Sequence, residues 1–309
     1  MDKIIVVCGP TASGKTSASI EIAKYFDAEI VSADSMQVYK EMNIGTAKPD
    51  KAERCGISHH MMDVISVTED YNVSRYVKEA SKCIDNILAR GKNVVLVGGT
   101  GLYIDSLINN TNFFDFDNDE VYRKELGNIA ICDGGQTLLD MLYKVDPESA
   151  KRLHQNDIKR IIRALEVYKV TGKTITELHI ESKRNRKYQP IFIGINYTDR
   201  EILYDRINKR VDIMMESGFE KEAKDLFGLN LSSTARAAIG YSDLFDYFKN
   251  IQTLEEAIEN IKRKSRNYAK RQLTWFRKND EICWVYPDKY SEISECYDDI
   301  FKNINDKMR

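Results

Sequence analysis

The sequence predicts an α/β protein in which a parallel sheet carrying a P-loop is flanked by helices and interrupted by a helical insertion domain. Three observations predict this fold. An apolar run, residues 4–8, leads into a glycine-rich loop and then into a helical pattern. Further apolar runs of strand length recur up to residue 111 and again after residue 187. Between them, residues 112–186 show only helical patterns. A chain of 309 residues is long enough for one large domain and a smaller one.

The glycine-rich loop has the pattern G-x-x-x-x-G-K-T, which is typical of phosphate binding. Its backbone N–H groups can point inward at phosphate oxygens, and the following helix presents its positive end to the same anion. Lys15 supplies a positive charge, and Thr16 supplies a hydroxyl suited to Mg²⁺. The predicted phosphate-binding residues are Gly9, Pro10, Thr11, Ala12, Ser13, Gly14, Lys15 and Thr16.

A second strand is expected at residues 29–32, followed closely by Asp34. The carboxyl ends of parallel strands line the ligand crevice of such a sheet, so Asp34 should lie near the bound phosphates. A carboxylate in that place can hold Mg²⁺ or act as a base. The alternative is a turn former or helix cap, because Asp-Ser favours both.

The next elements are a loop, a helix and a strand. Residues 42–49 have too few apolar positions for a core element and are interpreted as a functional loop. Residues 71–90 form a helix that ends at Gly91. Residues 93–97 form a buried strand that runs into Gly98-Gly99-Thr100, without the Mg²⁺-linked Asp that is frequent in NTP hydrolases. This ending weakens an ATPase interpretation.

The insertion is expected to begin with an acidic, aromatic linker at residues 112–119 and to end with a basic connector at residues 183–187. Helices are predicted at residues 120–130, 135–144, 147–153 and 157–170. The predicted core is therefore 1–111 with 187–309, and 112–186 is the insertion domain. The alternative is continuous packing without a separate unit.

After the insertion, a strand is predicted at residues 190–197, helices at 199–217, 220–227 and 253–278, a last strand at 282–285, and a polar helix at the end. The long helix carries eight Lys or Arg and no acid from Lys262 to Lys278, with interleaved aromatics that suit RNA. We expect these charges, Lys262 to Lys264 among them, to be exposed. The alternative is a face balanced by acidic neighbours such as Glu255, Glu256 and Glu259.

Composition limits the class of protein. The chain is 42% hydrophobic and 30% charged, its net charge is −2, and no apolar run approaches the ~20 residues of a membrane span. The first strand begins so early that we expect no signal peptide. Six scattered cysteines without C-x-x-C spacing are interpreted as reduced thiols. We therefore expect a cytoplasmic protein without membrane attachment, acting as a monomer.

The motifs together resemble bacterial tRNA dimethylallyltransferases, also called isopentenyl-tRNA transferases. The matching stretches follow in family order from residue 4 to about 278: GPTASGKT, ADSMQVY, NIGTAKP, HHMMD, LVGGTGLY, NDIKRIIRALEVY, RINKRVDIMMESGF and KRQLTWFRK. One departure is visible after Gly240-Tyr241. The family usually has a basic residue and then an acid or Gln there, whereas this chain has Ser242-Asp243, which puts the RNA contact of that turn in doubt.

The resemblance implies transfer of a dimethylallyl group from its diphosphate to N6 of the adenosine immediately 3′ of the anticodon, with release of pyrophosphate. It implies dimethylallyl diphosphate and the tRNA anticodon stem-loop as substrates and Mg²⁺ as the cofactor. The P-loop would hold the donor's diphosphate with no ATP required; whether ATP also binds is left open.

The resemblance also assigns roles to single residues. Asp34 matches the general base, Thr16 the metal ligand, and Lys15 and Arg210 the cations that face the pyrophosphate, with Arg206 as the nearest competitor of Arg210. The tRNA contacts are assigned to Asp34, Ser35, Met36, Gln37, Thr100, Arg123, Lys159, Arg160 and Arg236.

Two other functions fit the P-loop. A nucleoside or sugar-acid kinase would also use an Asp at the end of the second strand. A nucleotide-dependent RNA-binding switch would need no catalytic residue. Stabilisation by dimethylallyl diphosphate but not by ATP separates the transferase from both.

Overall fold

The computed structural model describes residues 1–111, 119–184 and 186–309. The chain forms two compact units: Met1–Ile108 together with Tyr188–Arg309, and Asn109–Lys187. The sequence-based boundaries were 112 and 186. The expected acidic linker lies outside the described residues, apart from its last residue, Asp119.

The first unit is built on one sheet. In the described part of the chain, six parallel strands follow the order β3-β2-β4-β1-β5-β6. Their bounds are β1 Lys3–Cys8, β2 Ala28–Ser32, β3 His59–His60, β4 Asn93–Gly98, β5 Gln189–Ile195 and β6 Cys283–Val285. The predicted α/β class with a parallel sheet is confirmed.

Strand β1 lies at the centre because its side chains suit burial on both faces. Residues 4–8 are fully buried, as expected of a parallel strand covered by helices on both sides. On one face, Ile5 and Val7 belong to a core that includes Ile22 of the first helix and Ile300 of the last. The carboxyl ends of β1, β2 and β4 therefore meet at one edge of the sheet.

The helices of the first unit cover the sheet and extend beyond this edge. They are α1 Lys15–Tyr25, α2 Val73–Ala89, α3 Gly101–Ile108, α9 Arg200–Glu216, α10 Phe219–Leu226, α11 Ser233–Arg236, α12 Tyr241–Phe248, α13 Leu254–Phe276 and α14 Ile293–Met308. The sequence did not predict β3, α3, α11 or α12. With two and four residues, β3 and α11 are too short to show a hydrophobic period, and β3 exists only through its pairing with Ile30 and Val31.

The second unit consists of helices around its own core. They are α4 Glu120–Cys132, α5 Gly135–Val145, α6 Pro147–Arg152, α7 Ile158–Thr171 and α8 Ile175–Arg184. The fully buried side chains of Leu126, Leu138, Leu142 and Ile161 join α4, α5 and α7. Helix α8 was not predicted, and only its last two residues, 183 and 184, fall within the expected basic connector.

The described residues include no helix that is both long enough and apolar enough to span a bilayer. The six cysteines, all within the described ranges, form no disulfide.

Candidate active site

The P-loop follows β1 directly, and its first glycine is required by the packing. Gly9 has φ of +140°, and a Cβ at this position would lie 2.3 Å from the carbonyl oxygen of Ile195. The loop therefore runs close against β5 before it enters α1. The Nζ atom of Lys15 donates to the carbonyl oxygen of Pro10 at 2.5 Å.

Two neighbouring cavities lie in the first unit, at this edge of the sheet. The larger is an open groove of about 1030 Å³, which residues 12–17 of the P-loop line together with Arg206, Lys209 and Arg210. The smaller, of about 240 Å³, is lined by Asp34 and Arg210 and by a set of apolar side chains: Ile207, Val211, Met214, Phe219, Ile239 and Ile261. Arg210 and Met214 line both. A groove lined by several cationic side chains thus adjoins an apolar cavity.

Lys15 and Arg210 line the groove, and no carboxylate in the described part of the chain forms a salt bridge with either of them. Burial and the nearby Arg210 lower the pKa of Lys15 to about 8, although Asp34 acts in the opposite direction. Burial likewise lowers the pKa of Arg210. Among the residues that the structure describes, none bonds to the buried Nε of Arg210. A guanidinium in this state is suited to an anionic ligand.

Asp34 both forms a turn and faces the cavity. Its Oδ1 accepts hydrogen bonds from the backbone N–H of Met36 at 2.9 Å and of Gln37 at 3.3 Å. The turn-forming alternative is therefore correct as a description of the backbone. Asp34, Ser35 and Met36 all line the smaller cavity, so the turn also presents the carboxylate to a ligand.

The residues after Asp34 are tied to β4 and to the loop at 42–49. Thr100 Oγ1 accepts from the backbone N–H of Ser35 at 3.1 Å, which links the turn to the end of β4. Gln37 Nε2 donates to the carbonyl oxygens of Thr46 and Ala47, each at 3.4 Å. Thr100 and Gln37 thus hold the turn at residues 34–37 against the end of β4 and the loop at 42–49.

Arg210 and Arg206 have different surroundings on α9. Arg210 shares a helix face with Ile207, Val211 and Met214, and all four line the smaller cavity. Arg206 lines only the groove, where its Nε donates to the carbonyl oxygen of Ala12 at 2.9 Å. Its guanidinium also lies 5.2 Å from the centre of the Tyr197 ring. Arg206 therefore supports the P-loop backbone, whereas Arg210 faces both cavities.

Two residues of α13 complete the site, and sequence reasoning missed both. Gln272 is buried; its Oε1 accepts from the backbone N–H of Thr11 at 2.8 Å, and its Nε2 donates to the carbonyl oxygen of Gly99 at 2.9 Å. Tyr268 lines the smaller cavity, and burial raises its pKa to about 12. Both lie inside the basic run, whose charges and aromatics had been interpreted as an RNA contact.

The expectation that Lys262 to Lys264 are all exposed is wrong for Lys262, whereas Arg263 and Lys264 are exposed as expected. The side chain of Lys262 is only 16% exposed, and it pairs with Asp212 at 2.7 Å and with Glu259 at 3.4 Å. Lys264 pairs at 2.8 Å with Asp243, whose side chain is 4% exposed. The acidic-neighbour alternative therefore holds for these two lysines. It involves Glu259, as suggested, but also Asp212 and Asp243, which the sequence had not connected with them.

The predicted contacts of the second unit lie on α4 and α7. Arg123 and Arg163 donate to Oε2 of Glu166, at 2.9 Å and 2.8 Å, and the Glu166 side chain is fully buried. Lys159 and Arg160 are exposed. The buried carboxylate holds two partly exposed guanidinium groups in place on the surface of this unit.

The remaining assignments concern Arg236 and the metal. Arg236 is exposed at the end of α11, and the cavity-lining residues 237–239 follow it. Thr16 is exposed in the groove. Within the described residues, no group of three His, Cys, Asp or Glu could hold a metal ion. Any metal here would thus rely on few protein ligands.

Comparison with known proteins identifies the family. A family model described as IPP transferase matches residues 37–279. A tRNA dimethylallyltransferase from Thermoanaerobacter sp. is 46% identical, over 99% of this chain and 98% of the relative. One from Caldanaerobacter subterraneus is 43% identical, over 99% of each chain.

Solved structures agree with this assignment. A tRNA isopentenylpyrophosphate transferase from Bacillus halodurans superposes with a TM-score of 0.72 at 41% identity, over 100% of this chain and 98% of the other. A eukaryotic dimethylallyltransferase acting on tRNA gives a TM-score of 0.77 at 32% identity, over 93% of this chain and 74% of the other. The chain belongs to the IPP transferase family.

Proposed function

We propose that this protein transfers a dimethylallyl group from dimethylallyl diphosphate to N6 of the adenosine 3′-adjacent to the anticodon of tRNA. One observation carries the proposal: a P-loop groove, lined by cations of which Lys15 and Arg210 form no salt bridge with a carboxylate of the described residues, adjoins an apolar cavity that also contains a carboxylate. The groove suits a diphosphate, and the apolar walls suit a hydrocarbon chain and a nucleobase. The names of the full-length relatives support the same reaction.

The charges of the site fit the bonds that change. As the N6–C1 bond forms, the C1–O bond to the diphosphate breaks, and the leaving pyrophosphate gains negative charge. Lys15 and Arg210 are placed to stabilise that charge in a desolvated setting. The proton lost from N6 passes to Asp34, whose Oδ1 holds the turn and whose Oδ2 is available as an acceptor.

The residues present fit a Mg²⁺ ion. Mg²⁺ keeps several waters and takes few protein ligands when substrate phosphates complete its shell, and Thr16 offers an exposed hydroxyl in the groove. Thr16 would hold the ion, which would supply Lewis-acid stabilisation of the diphosphate when bound. The absence of a three-residue ligand cluster among the described residues is consistent with such a site.

The kinase alternative is less well supported. Strand β4 ends at Gly98 and is followed by Gly99 and Thr100, so the chain offers no carboxylate for a metal at that position. The apolar lining of the smaller cavity also suits a prenyl chain better than a hydroxylated sugar.

We further propose that the protein is cytoplasmic and acts as a monomer.

A transfer assay tests the proposal. Labelled dimethylallyl diphosphate is incubated with a tRNA transcript that carries adenosine 3′ of the anticodon, and with a matched transcript that carries guanosine there. Label should enter only the first RNA, with release of pyrophosphate. In parallel, dimethylallyl diphosphate but not ATP should raise the melting temperature. Stabilisation by ATP alone, without transfer to RNA, would favour a kinase or a nucleotide-dependent switch.

A further inference from the structure

A single carboxylate holds the loop that separates the two cavities. Glu222 of α10 accepts hydrogen bonds from three successive backbone N–H groups: Asn43 at 2.9 Å, Ile44 at 2.8 Å and Gly45 at 2.9 Å. The hydroxyl of Tyr241 donates to the same carboxylate at 2.6 Å. Hydrogen bonds to a charged acceptor are stronger than neutral ones, so four of them fix the loop firmly.

This loop forms a wall of both cavities. The P-loop groove is lined by Asn43 and Ile44 and, further along the loop, by Ala47 and Lys48. The residues between them, Gly45 and Thr46, line the apolar cavity. A shift of the loop would therefore change the anion site and the apolar site together.

The rings behind the loop leave no room for a side chain at position 45. A Cβ on Gly45 would lie 2.2 Å from Cε2 of Phe219 and 2.7 Å from Cζ of Tyr241. The rings of Phe219 and Tyr241 pack edge to face, with centroids 5.0 Å apart. The glycine lets the loop lie directly on these rings, and Glu222 then reaches its N–H groups.

The loop is also connected to the catalytic turn. Gln37 Nε2 donates to the carbonyl oxygens of Thr46 and Ala47, and the backbone N–H of Gln37 donates to Oδ1 of Asp34. The contacts thus run from Glu222 through the loop to the turn that presents Asp34.

We propose that Glu222, with Tyr241, is a positioning residue that sets the shape of the donor site by holding residues 43–45. The inference rests on the proposed function, in which the groove binds the donor's diphosphate and the apolar cavity its prenyl group. Glu222 touches neither cavity itself and acts through the loop. Its removal should misplace the walls around the donor, and small misplacements are costly to catalysis.

The test compares three variants with wild type. Glu222→Ala removes all four hydrogen bonds. Glu222→Gln keeps one acceptor oxygen and loses at least one backbone N–H bond. Tyr241→Phe keeps the three backbone bonds. Glu220→Gln is the matched control, because it removes the same charge from the same helix without removing the acceptor of the three N–H groups. Amide hydrogen exchange at residues 43–45 should rise in Glu222→Ala and stay unchanged in the control.

Function is measured well below each variant's melting temperature. We expect the Kd for dimethylallyl diphosphate to rise about tenfold or more in Glu222→Ala, less in Glu222→Gln, and least in Tyr241→Phe. The kcat at saturating donor should fall in the same order, while tRNA affinity stays constant. A lower melting temperature with unchanged donor Kd and kcat would overturn the inference, because the carboxylate would then serve stability alone.

Inorganic pyrophosphate separates this inference from the proposed function. If wild type binds pyrophosphate but transfers nothing to tRNA, the proposed reaction fails, and the Kd of Glu222→Ala for pyrophosphate still decides the positioning role. A raised Kd supports it, and an unchanged Kd overturns it. A wild-type protein that does not bind pyrophosphate would overturn both.

Discussion

The cations of the cleft and the cations of helix α13 differ in whether carboxylates bind them. Lys15 lines the groove and Arg210 lines both cavities, burial lowers the pKa of each, and no carboxylate of the described residues forms a salt bridge with either. Lys262 and Lys264 are bound instead by Asp212 and Asp243. An unpaired buried charge is costly unless a ligand uses it, whereas a paired one serves the structure. The number of charges in a segment therefore says less about function than their partners do.

Removing the cleft's carboxylate should have the largest effect. Asp34→Asn keeps an oxygen that can accept the N–H bonds of Met36 and Gln37, so the turn should survive. Donor and tRNA affinities should stay near wild type. The kcat should fall by roughly 10²–10⁴-fold, the usual scale for loss of a general base. Single-turnover transfer of labelled donor measures this, and a rate near wild type would leave Asp34 as a turn former only.

The two arginines of α9 sharpen the comparison within the cleft. Arg210→Ala should lower kcat by about 10²–10³-fold, the scale seen on removal of a group that stabilises developing negative charge, and it should weaken donor binding. Arg206→Ala should cost less, because Arg206 is already engaged with the P-loop carbonyl of Ala12. Steady-state kinetics with each substrate varied would show this, with tRNA affinity unchanged in both. A larger loss in Arg206→Ala would reverse the assignment.

The parts of the site that could be predicted from sequence are those formed by residues close together in the chain. The P-loop, Asp34 and the buried strands are recognisable because their chemistry is encoded in short contiguous stretches. Gln272 and Glu222 act on backbone groups 261 and 177 to 179 positions away, so no local pattern marks them. Arg210 had a usable signal: Ile207, Val211 and Met214 share its helical face. The lysine partners Asp212 and Asp243 depend on packing between helices, which charge counting does not capture.

A smaller effect is expected in the basic run from Lys262 to Lys278, where the paired and the exposed lysines should affect different properties. Lys264→Ala leaves the buried Asp243 without its cation, so the free energy of unfolding should fall by about 1–3 kcal/mol. Lys270 and Lys278 are exposed, so the double variant Lys270→Ala/Lys278→Ala should keep wild-type stability. It should instead flatten the salt dependence of tRNA affinity, because each lost phosphate contact lowers the slope by roughly 0.7–0.9.

Urea unfolding measures the free energy of unfolding. Titration with tRNA at several salt concentrations measures the salt dependence of tRNA affinity. Parallel salt slopes for wild type and the double variant would show that these lysines face only solvent. An unchanged free energy of unfolding in Lys264→Ala would show that the pair with Asp243 adds nothing to stability.

The smallest and most specific effect is a pH dependence at Lys15. Its pKa in the folded protein, about 8, lies below the ordinary value of 10.5. The unfolded chain therefore binds more protons than the folded one between these values, and this group makes the free protein more stable as the pH rises through that window.

Donor binding needs the protonated amine, so the Kd for dimethylallyl diphosphate should instead rise by up to about tenfold from pH 8 to pH 9. The Lys15→Met variant should bind dimethylallyl diphosphate more weakly and should not show this rise in Kd. Because the variant lacks the amine, its remaining pH dependence measures the titration of the diphosphate itself. Calorimetry at several pH values gives the two curves. A wild-type Kd that follows the variant's pH profile would mean that Lys15 keeps its proton and that its desolvation does not govern donor binding.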